Sequence, residues 1–316
     1  MMKERNVSLP TKQREFWYYL KKYRVLLLML LPAVVYFIVL SYIPMAGGIV
    51  AFKRFDYSKG IFGSPWAGFK NFRYLFASGK AWMLTKNTFV YNLLFIFSAL
   101  VLQVSCAVLL SEIQNRYVKK IFQSFLLLPY FISWVVVGLI SYNLLNYEYG
   151  IVNRFLMTIG LEPVNFYSNP QCWKVILVFF NAWKGLGYGS VIYVAAISGM
   201  SQEMYEAAEI DGANIWQRIT HITLPNLRPT IITVLLLDVS RIFRGNFQMF
   251  YNLVGENGVL FKQTDVIDTY VFRALINSNE LGMSSAAGLY QSVLCFVFIM
   301  IVNTVVKKID PDSALF

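Results

Sequence analysis

Val25-Leu26-Leu27-Leu28-Met29-Leu30-Leu31-Pro32-Ala33-Val34-Val35-Tyr36-Phe37-Ile38-Val39-Leu40-Ser41-Tyr42-Ile43-Pro44-Met45-Ala46-Gly47-Gly48-Ile49 contains no charged side chain. A helix that crosses the hydrocarbon core of a bilayer needs roughly 20 mostly apolar residues, and this run is long enough. Further apolar blocks lie at 88–110, 121–142, 175–197, 230–250 and 286–306. Pro32, Pro44 and Pro129 fall inside blocks, where local widening and neighbouring groups can satisfy the freed backbone. The block at 230–250 has a polar end and is the weakest of the six. The expected fold is therefore all-α and integral to the membrane. It has six transmembrane helices in one domain over 25–306, an N-terminal segment 1–24 and a tail 307–316.

Composition agrees. The chain has 316 residues, 57% hydrophobic and 14% charged, against about 45–50% and about 25% in soluble domains. Its mean hydropathy is +0.52. The net charge of +11 does not signal a nucleic-acid partner, because the basic residues flank apolar blocks, as contacts with anionic headgroups and topology signals do. Cys106, Cys172 and Cys295 are isolated, with no metal-ligand or disulfide spacing. His221 is the only histidine, which excludes a multi-histidine metal site; it reads as a structural residue. No catalytic constellation stands out.

Lys3, Arg5, Lys12, Arg14, Lys21, Lys22 and Arg24 precede the first block, which reads as an uncleaved span whose start is cytoplasmic. Arg116, Lys119, Lys120, Arg218, Arg228, Lys307 and Lys308 fall on the same face, consistent with cytoplasmic termini. Against this, Lys53, Arg54, Lys59, Lys70, Arg73, Lys80 and Lys86 lie in a loop that must then be external. Phe16-Trp17-Tyr18-Tyr19-Leu20 reads as an interfacial helix, and 146–160 as a helix lying on the membrane surface. The polar stretch 261–280 is expected to cover the outer mouth.

Between the fourth and fifth blocks stands Glu206-Ala207-Ala208-Glu209-Ile210-Asp211-Gly212-Ala213, followed by Ile222-Thr223-Leu224-Pro225. Ser201 is placed to cap a helix starting at Gln202. Glu203 and Glu206 suit the positive end of its dipole, and Ala207 and Ala208 are strong helix formers. Gly212 allows a positive backbone angle. Asp211 is placed to cap a second helix through Trp216 and Ile219, with Pro225 ending it. Two short helices at an angle, projecting from the membrane over 201–225, are expected.

This pattern (EAA, three residues, Gly, nine residues, I-x-L-P) resembles the coupling loop of the permease subunit of bacterial ABC importers. The resemblance implies that Glu206, Ala207, Ala208, Asp211, Gly212, Ile222, Leu224 and Pro225 form the cytoplasmic surface gripped by a separate ATPase. Closure of the ATPase pair is then passed to the membrane helices through packed elements. Trp66-Ala67-Gly68-Phe69-Lys70-Asn71-Phe72 is similar to an outer-loop pattern of maltose-transporter-type permeases, and Asn181-Ala182-Trp183-Lys184-Gly185 to that family's fourth block. Asp265-Val266-Ile267-Asp268-Thr269-Tyr270-Val271-Phe272-Arg273, Gly288-Leu289-Tyr290 and the ending Asp312-Ser313-Ala314-Leu315-Phe316 are similar to its polysaccharide and complex-oligosaccharide branch.

Lys184, Asp238 and Arg241 are charges in or near spans, which usually pair, face a cavity or mark a pathway. Asp238 and Arg241, three apart, can share a helix face; a structural salt bridge and a pathway lining fit equally. Asn181, Tyr188, Asn246, Gln248 and Tyr251 suit a sugar path, and ordinary interhelical packing suits them as well. Gly185-Leu186-Gly187-Tyr188-Gly189 is not a nucleotide loop, since no strand precedes it and the third glycine of the fingerprint is missing; close helix packing explains it. The absence of G-x-x-x-x-G-K-[ST] means that ATP and Mg are used by another polypeptide, and no cofactor is expected in this chain.

The expectation is a permease subunit in a bacterial cytoplasmic membrane. It would work with a second permease, two ATPase subunits, an extracytoplasmic solute-binding protein, lipid and an oligosaccharide. Two rivals are the same role for a non-sugar solute and a self-sufficient secondary carrier. The carrier is disfavoured because no inverted repeat is visible.

Overall fold

The structure is a computed structural model, and it describes Phe16, Tyr18, Tyr19 and residues 21–309. The basic residues Lys3 to Arg14, Trp17, Leu20 and the ending 312–316 therefore lie outside the described residues.

Among the described residues five helices are long and apolar enough to cross a membrane: α1 (Arg24–Phe52), α2 (Lys80–Ser111), α5 (Pro170–Ser198), α7 (Ile215–Val239) and α10 (Leu281–Lys308). Between α2 and α5, α3 (Arg116–Phe131) and α4 (Trp134–Leu145) meet at 95°; taken together as one broken span, they bring the count to six. The helix α6 (Gln202–Ile210) lies between α5 and α7, and α8 (Phe247–Val254) and α9 (Ile267–Ile276) lie between α7 and α10.

Two spans depart from the expected course. The block 121–142 is not continuous. Ile132 is extended, and Ser133 starts a new helix by accepting the Val136 N–H at 3.4 Å. Pro129 weakens the ladder just before the break, since it has no N–H to donate. The span expected at 230–250 lies earlier in the chain. Its helix ends at Val239, a turn covers 240–246, and Phe247–Val254 is a separate helix. Met249, Phe250 and Leu253 of α8 are buried against Val137 of α4 and Trp173 and Leu177 of α5. Apolar content alone does not separate such a core helix from a lipid-facing one.

Prolines shape two other spans. A π-helical segment at Ile38–Tyr42 ends two residues before Pro44, and another at Ile219–Thr223 ends two residues before Pro225. A widened turn accommodates a residue that lacks the donor and whose ring would strike the carbonyl four back. Pro225 thus does not end the second loop helix. The chain runs on through it to Val239.

The core has three parts. Tyr91 and Phe95 pack with Trp173, Phe180 and α8. Val104, Ala107 and Val108 of α2 pack with Tyr193 and Val194 of α5 and with Ile219 and Leu227 of α7. Leu75, Ala81 and Leu84 pack with Ile267 and Tyr270 of α9 and Ala287 of α10. The middle glycine of the 185–189 run has a packing role: a Cβ on Gly187 would sit 2.0 Å from the Leu126 carbonyl oxygen, so α5 and α3 approach backbone to backbone there. By contrast, α1 buries nothing before Val50.

The patterns flanking the spans prove to be fastenings. Phe52 stacks on Trp66 at 5.9 Å, and Asn71 donates to the carbonyls of Ala51 (2.8 Å) and Lys53 (3.1 Å). Thr85 and Tyr290 share a hydrogen bond of 2.8 Å. The stretch 261–280 is packed into the fold rather than simply laid over it: Val266, Ile267 and Asp265 are buried, and Asp265 pairs with Arg273 and accepts from Thr269 at 2.5 Å. Burial pushes the Asp265 carboxyl above its ordinary range, with the Arg273 charge pulling the other way. Asn153, in the helix Ile151–Thr158, is fully buried and donates to the Val164 carbonyl at 2.9 Å, tying that helix to its own loop.

Candidate functional site

The 201–225 loop forms the angled pair of helices expected. Ser201 occupies the N-cap position of α6, though without a side-chain hydrogen bond. Gly212 turns the chain at φ +77°. Asp211 is not the cap of the second helix; it closes α6 as its C-cap. The cap is Asn214, whose side chain accepts the Gln217 N–H at 2.9 Å while the Gln217 side chain accepts the Asn214 N–H at 2.8 Å. This reciprocal pair satisfies two orphan donors, and the sequence reading missed it although Asn-x-x-Gln is its signal.

Glu206, Ala207, Asp211, Gly212, Leu224 and Pro225 are exposed, and Ala208 and Ile222 half-buried. Ala208, Asp211, Gly212 and Ile222 line a groove of about 330 Å³ with Gln217, Arg218 and His221. Large apolar side chains stand out beside it: Ile210 is 87% exposed and Trp216 75%. Arg218 fastens this pair to the bundle. Its guanidinium lies 3.7 Å from Glu112, just past the end of α2, and 3.7 Å from Glu209 in α6. Tyr205 adds a hydrogen bond to Thr223 at 3.1 Å. Neither Arg218 nor Tyr205 had been assigned a site role. His221 shares its Nδ1 with Thr220 at 2.9 Å, in keeping with a structural residue of the loop.

The eight polar or charged residues proposed for a solute path do not converge on one place. Asn181, Asp238, Arg241 and Asn246 line one cavity of about 380 Å³, joined by Asn92, Phe95, Gln103 and Arg244. Asp238 and Arg241 form no ion pair within 4.0 Å. They make no direct contact, although the two charges interact at longer range. Gln103 reaches from α2 to donate to the Gly185 carbonyl at 3.3 Å.

The remaining four lie elsewhere. Lys184 donates to the carbonyls of Pro129 (3.1 Å), Tyr130 (2.7 Å) and Ile132, filling acceptors freed at the α3–α4 break, with Tyr130 and Trp134 rings beside it. Tyr188 stacks on Tyr130 with centroids 4.2 Å apart. Tyr251 packs between Phe247 and Phe272, and Gln248 is exposed on α8. Asn92, Gln103 and Arg244 were missed because each looks like an ordinary residue of its own segment. Only the packing of α2 against α5 and the turn after α7 brings them together.

The sequence at 103–311 matches the family model described as the inner membrane component of binding-protein-dependent transport systems. The chain belongs to this family. As a transport-system membrane component, it is 33% identical to Protein LplB of Bacillus subtilis over 93% of its length and 92% of that protein. It is 32% identical to the polygalacturonan/rhamnogalacturonan transport system permease protein YteP of the same organism, over 91% and 89%. A solved structure of a bacterial ABC transporter that imports the acidic polysaccharide alginate superposes with a TM-score of 0.84 at 31% identity, covering 94% of this chain and 99% of that one. The expected all-α permease fold and membrane placement hold.

Proposed function

We propose that this chain is one permease subunit of an ABC importer for an oligosaccharide. Family membership and the sugar-transport relatives support the cargo class. The observation that carries the coupling role is the projecting helix pair, held rigid by Arg218 and the Asn214–Gln217 cap, with Ile210 and Trp216 exposed on it. Apolar side chains on a charged, non-spanning loop mark a docking surface. In this reading two ATPase subunits grip the loop from the cytoplasm and use ATP and Mg, a second permease completes the path, and a solute-binding protein delivers the sugar outside. Both termini are cytoplasmic. The chain itself catalyses no covalent step; it moves between two packings as the loop is pushed.

The path in this reading includes the cavity at Asn181, Asp238, Arg241 and Asn246. The half-buried amides and the exposed charges there give sugar hydroxyls partners, and charges within a membrane segment characteristically face such a cavity. Glu206→Lys or Gly212→Trp is expected to abolish ATPase association or coupling while leaving membrane insertion intact. The space around Gly212 within this chain is open, but its φ of +77° strains any other residue, so Gly212→Trp disturbs the turn of the loop as well as the surface it offers. Wild-type transport by both variants would remove the coupling role.

A further inference from the structure

We propose that Asp268 is a positioning residue of the cavity wall: it clasps the 240–246 turn to α9 and α10, so that Arg241, Arg244 and Asn246 keep their place when α7 moves. The inference rests on the reading of this cavity as part of the solute path. The turn follows the end of α7 at Val239 and leads into α8 at Phe247. Ile242 and Phe243 are buried, whereas Arg241 and Arg244 on either side of them are exposed and line the cavity. The turn is thus anchored by its middle and offers its flanks. The Phe243 ring packs edge-on against Phe298 of α10, with centroids 5.4 Å apart.

A single oxygen of Asp268 closes the clasp. Its Oδ2 accepts the Gly245 N–H at 2.7 Å and the Gln291 side-chain amide at 2.9 Å. The same Gln291 nitrogen donates to the Phe243 carbonyl at 2.7 Å. Two backbone groups of the turn are therefore held by side chains of α9 and α10, and bonds to a charged acceptor are the stronger kind. The approach is close: a Cβ on Gly245 would sit 2.7 Å from that oxygen and 3.1 Å from a Val266 methyl. Gly245 has no positive φ, so glycine here serves the contact and not the backbone angle. The helix that carries Asp268 is itself fastened. The Ile267 N–H donates to the Thr88 hydroxyl of α2 at 3.1 Å, and the Ser284 hydroxyl of α10 donates to the Val271 carbonyl at 2.9 Å. The carboxylate belongs to a block of α2, α9 and α10, whereas α7 runs on directly from the projecting helix pair. Hinges fall at element ends. When the loop tilts α7, the hinge is the end of that helix at Val239, and the clasp keeps the cavity wall with the block. Arg244 is close enough for its charge to act on the same carboxylate, which gives charge as the rival to the hydrogen bonds.

The test uses the complete transporter, with its second permease, ATPases and binding protein. Nitroxides are placed on Arg241→Cys in the turn and on Gln114→Cys, just after α2, in a chain whose Cys106, Cys172 and Cys295 are replaced by serine. Double electron–electron resonance reads the distance between them. With Asp268 present a single narrow distribution is expected. Asp268→Leu removes the acceptor, and Gly245→Ala forces the turn away while leaving the carboxylate in place; both should shift or broaden the distribution. Asp268→Asn keeps an oxygen for both donors and loses only the charge, so it should give the wild-type trace. ATP-driven uptake of arabinotriose, maltotriose and galacturonate trimer is then measured in proteoliposomes without the labels. For a trimer that the wild type carries, the leucine and alanine variants should raise KM several-fold with kcat little changed, and the asparagine variant should restore it. A residue that only stabilises the fold would lower the active fraction and leave KM alone. Unchanged distances in both Asp268→Leu and Gly245→Ala overturn the clasp, as does an asparagine variant displaced as far as the leucine one, which would assign the effect to charge. Distances that move with KM unchanged overturn the positioning role. If the wild type carries none of the trimers while another solute is carried, the saccharide reading fails, and the distances still judge the clasp.

Discussion

Lys184 and Gly187 show how single residues can matter without touching solute. Lys184 saturates three carbonyls where α3 gives way to α4. These acceptors are partly buried, so leaving them unsatisfied should cost no more than the ~1–3 kcal/mol of a fully buried one. Lys184→Met is therefore expected to lower the melting temperature of the detergent-solubilised complex. The KM of the surviving fraction should not change, because the residue does not line the cavity. A raised KM at unchanged melting temperature would return Lys184 to the path. At Gly187 the neighbour is backbone, and backbone cannot swing aside. Gly187→Ala should cost about 1–3 kcal/mol by overpacking, read as a thermal shift, whereas Gly185→Ala, whose nearest neighbour is 3.9 Å away, should cost little. Equal shifts for the two would contradict the close approach of α3 and α5.

At the scale of elements, Arg218 joins three pieces: the end of α2, the loop helix α6 and the start of α7. Partly exposed ion pairs of this length contribute little to stability, on the order of 0–1 kcal/mol. Their value here is geometric, since a push on α6 reaches α2 only through a stiff connection. Arg218→Ala should leave the melting temperature nearly unchanged and nucleotide hydrolysis by the assembled complex largely intact. Transport per ATP hydrolysed should fall several-fold. An unchanged transport-to-hydrolysis ratio would show that the link carries no motion. The element boundaries were legible where a chemical stop exists, as at the Gly212 turn. They were not legible at 121–142 and 240–246, where a break depends on Lys184 from another helix or on a core that accepts α8.

For the whole molecule, the decisive question is which face the loop lies on. Glu112 and Arg218 are in contact, so the basic turn at Arg116, Lys119 and Lys120 shares an end with the helix pair. The basic residues from Lys53 to Arg73 lie between α1 and α2, and Lys80 and Lys86 in the first turns of α2, so they belong to the opposite end. One of these charges is removed from the topology count, because Lys53 is buried and donates to the carbonyls of Ile61 (2.8 Å) and Phe62 (3.0 Å). Cysteine placed at Glu206 should react with a membrane-impermeant maleimide only in inside-out vesicles, and cysteine at Asp56 only in right-side-out ones. Reversed labelling would invert the topology and end the coupling account.

Mostly apolar runs about as long as a bilayer is thick, and an acid-rich helical stretch hinged at Gly212, were enough by themselves to determine an all-helical, multi-span membrane protein with a projecting loop. Both follow from local chemistry: burial of a free backbone in lipid demands helix, and a positive φ demands glycine. Tertiary structure alone decided which polar residues meet. Asn92, Gln103, Asn181, Asp238, Arg241 and Arg244 come from three stretches far apart in the chain, and Lys184, no less polar, was drawn off to seal a helix break. Helical periodicity reports which residues share a face, but which face looks onto a cavity is set by the neighbours that pack against the others.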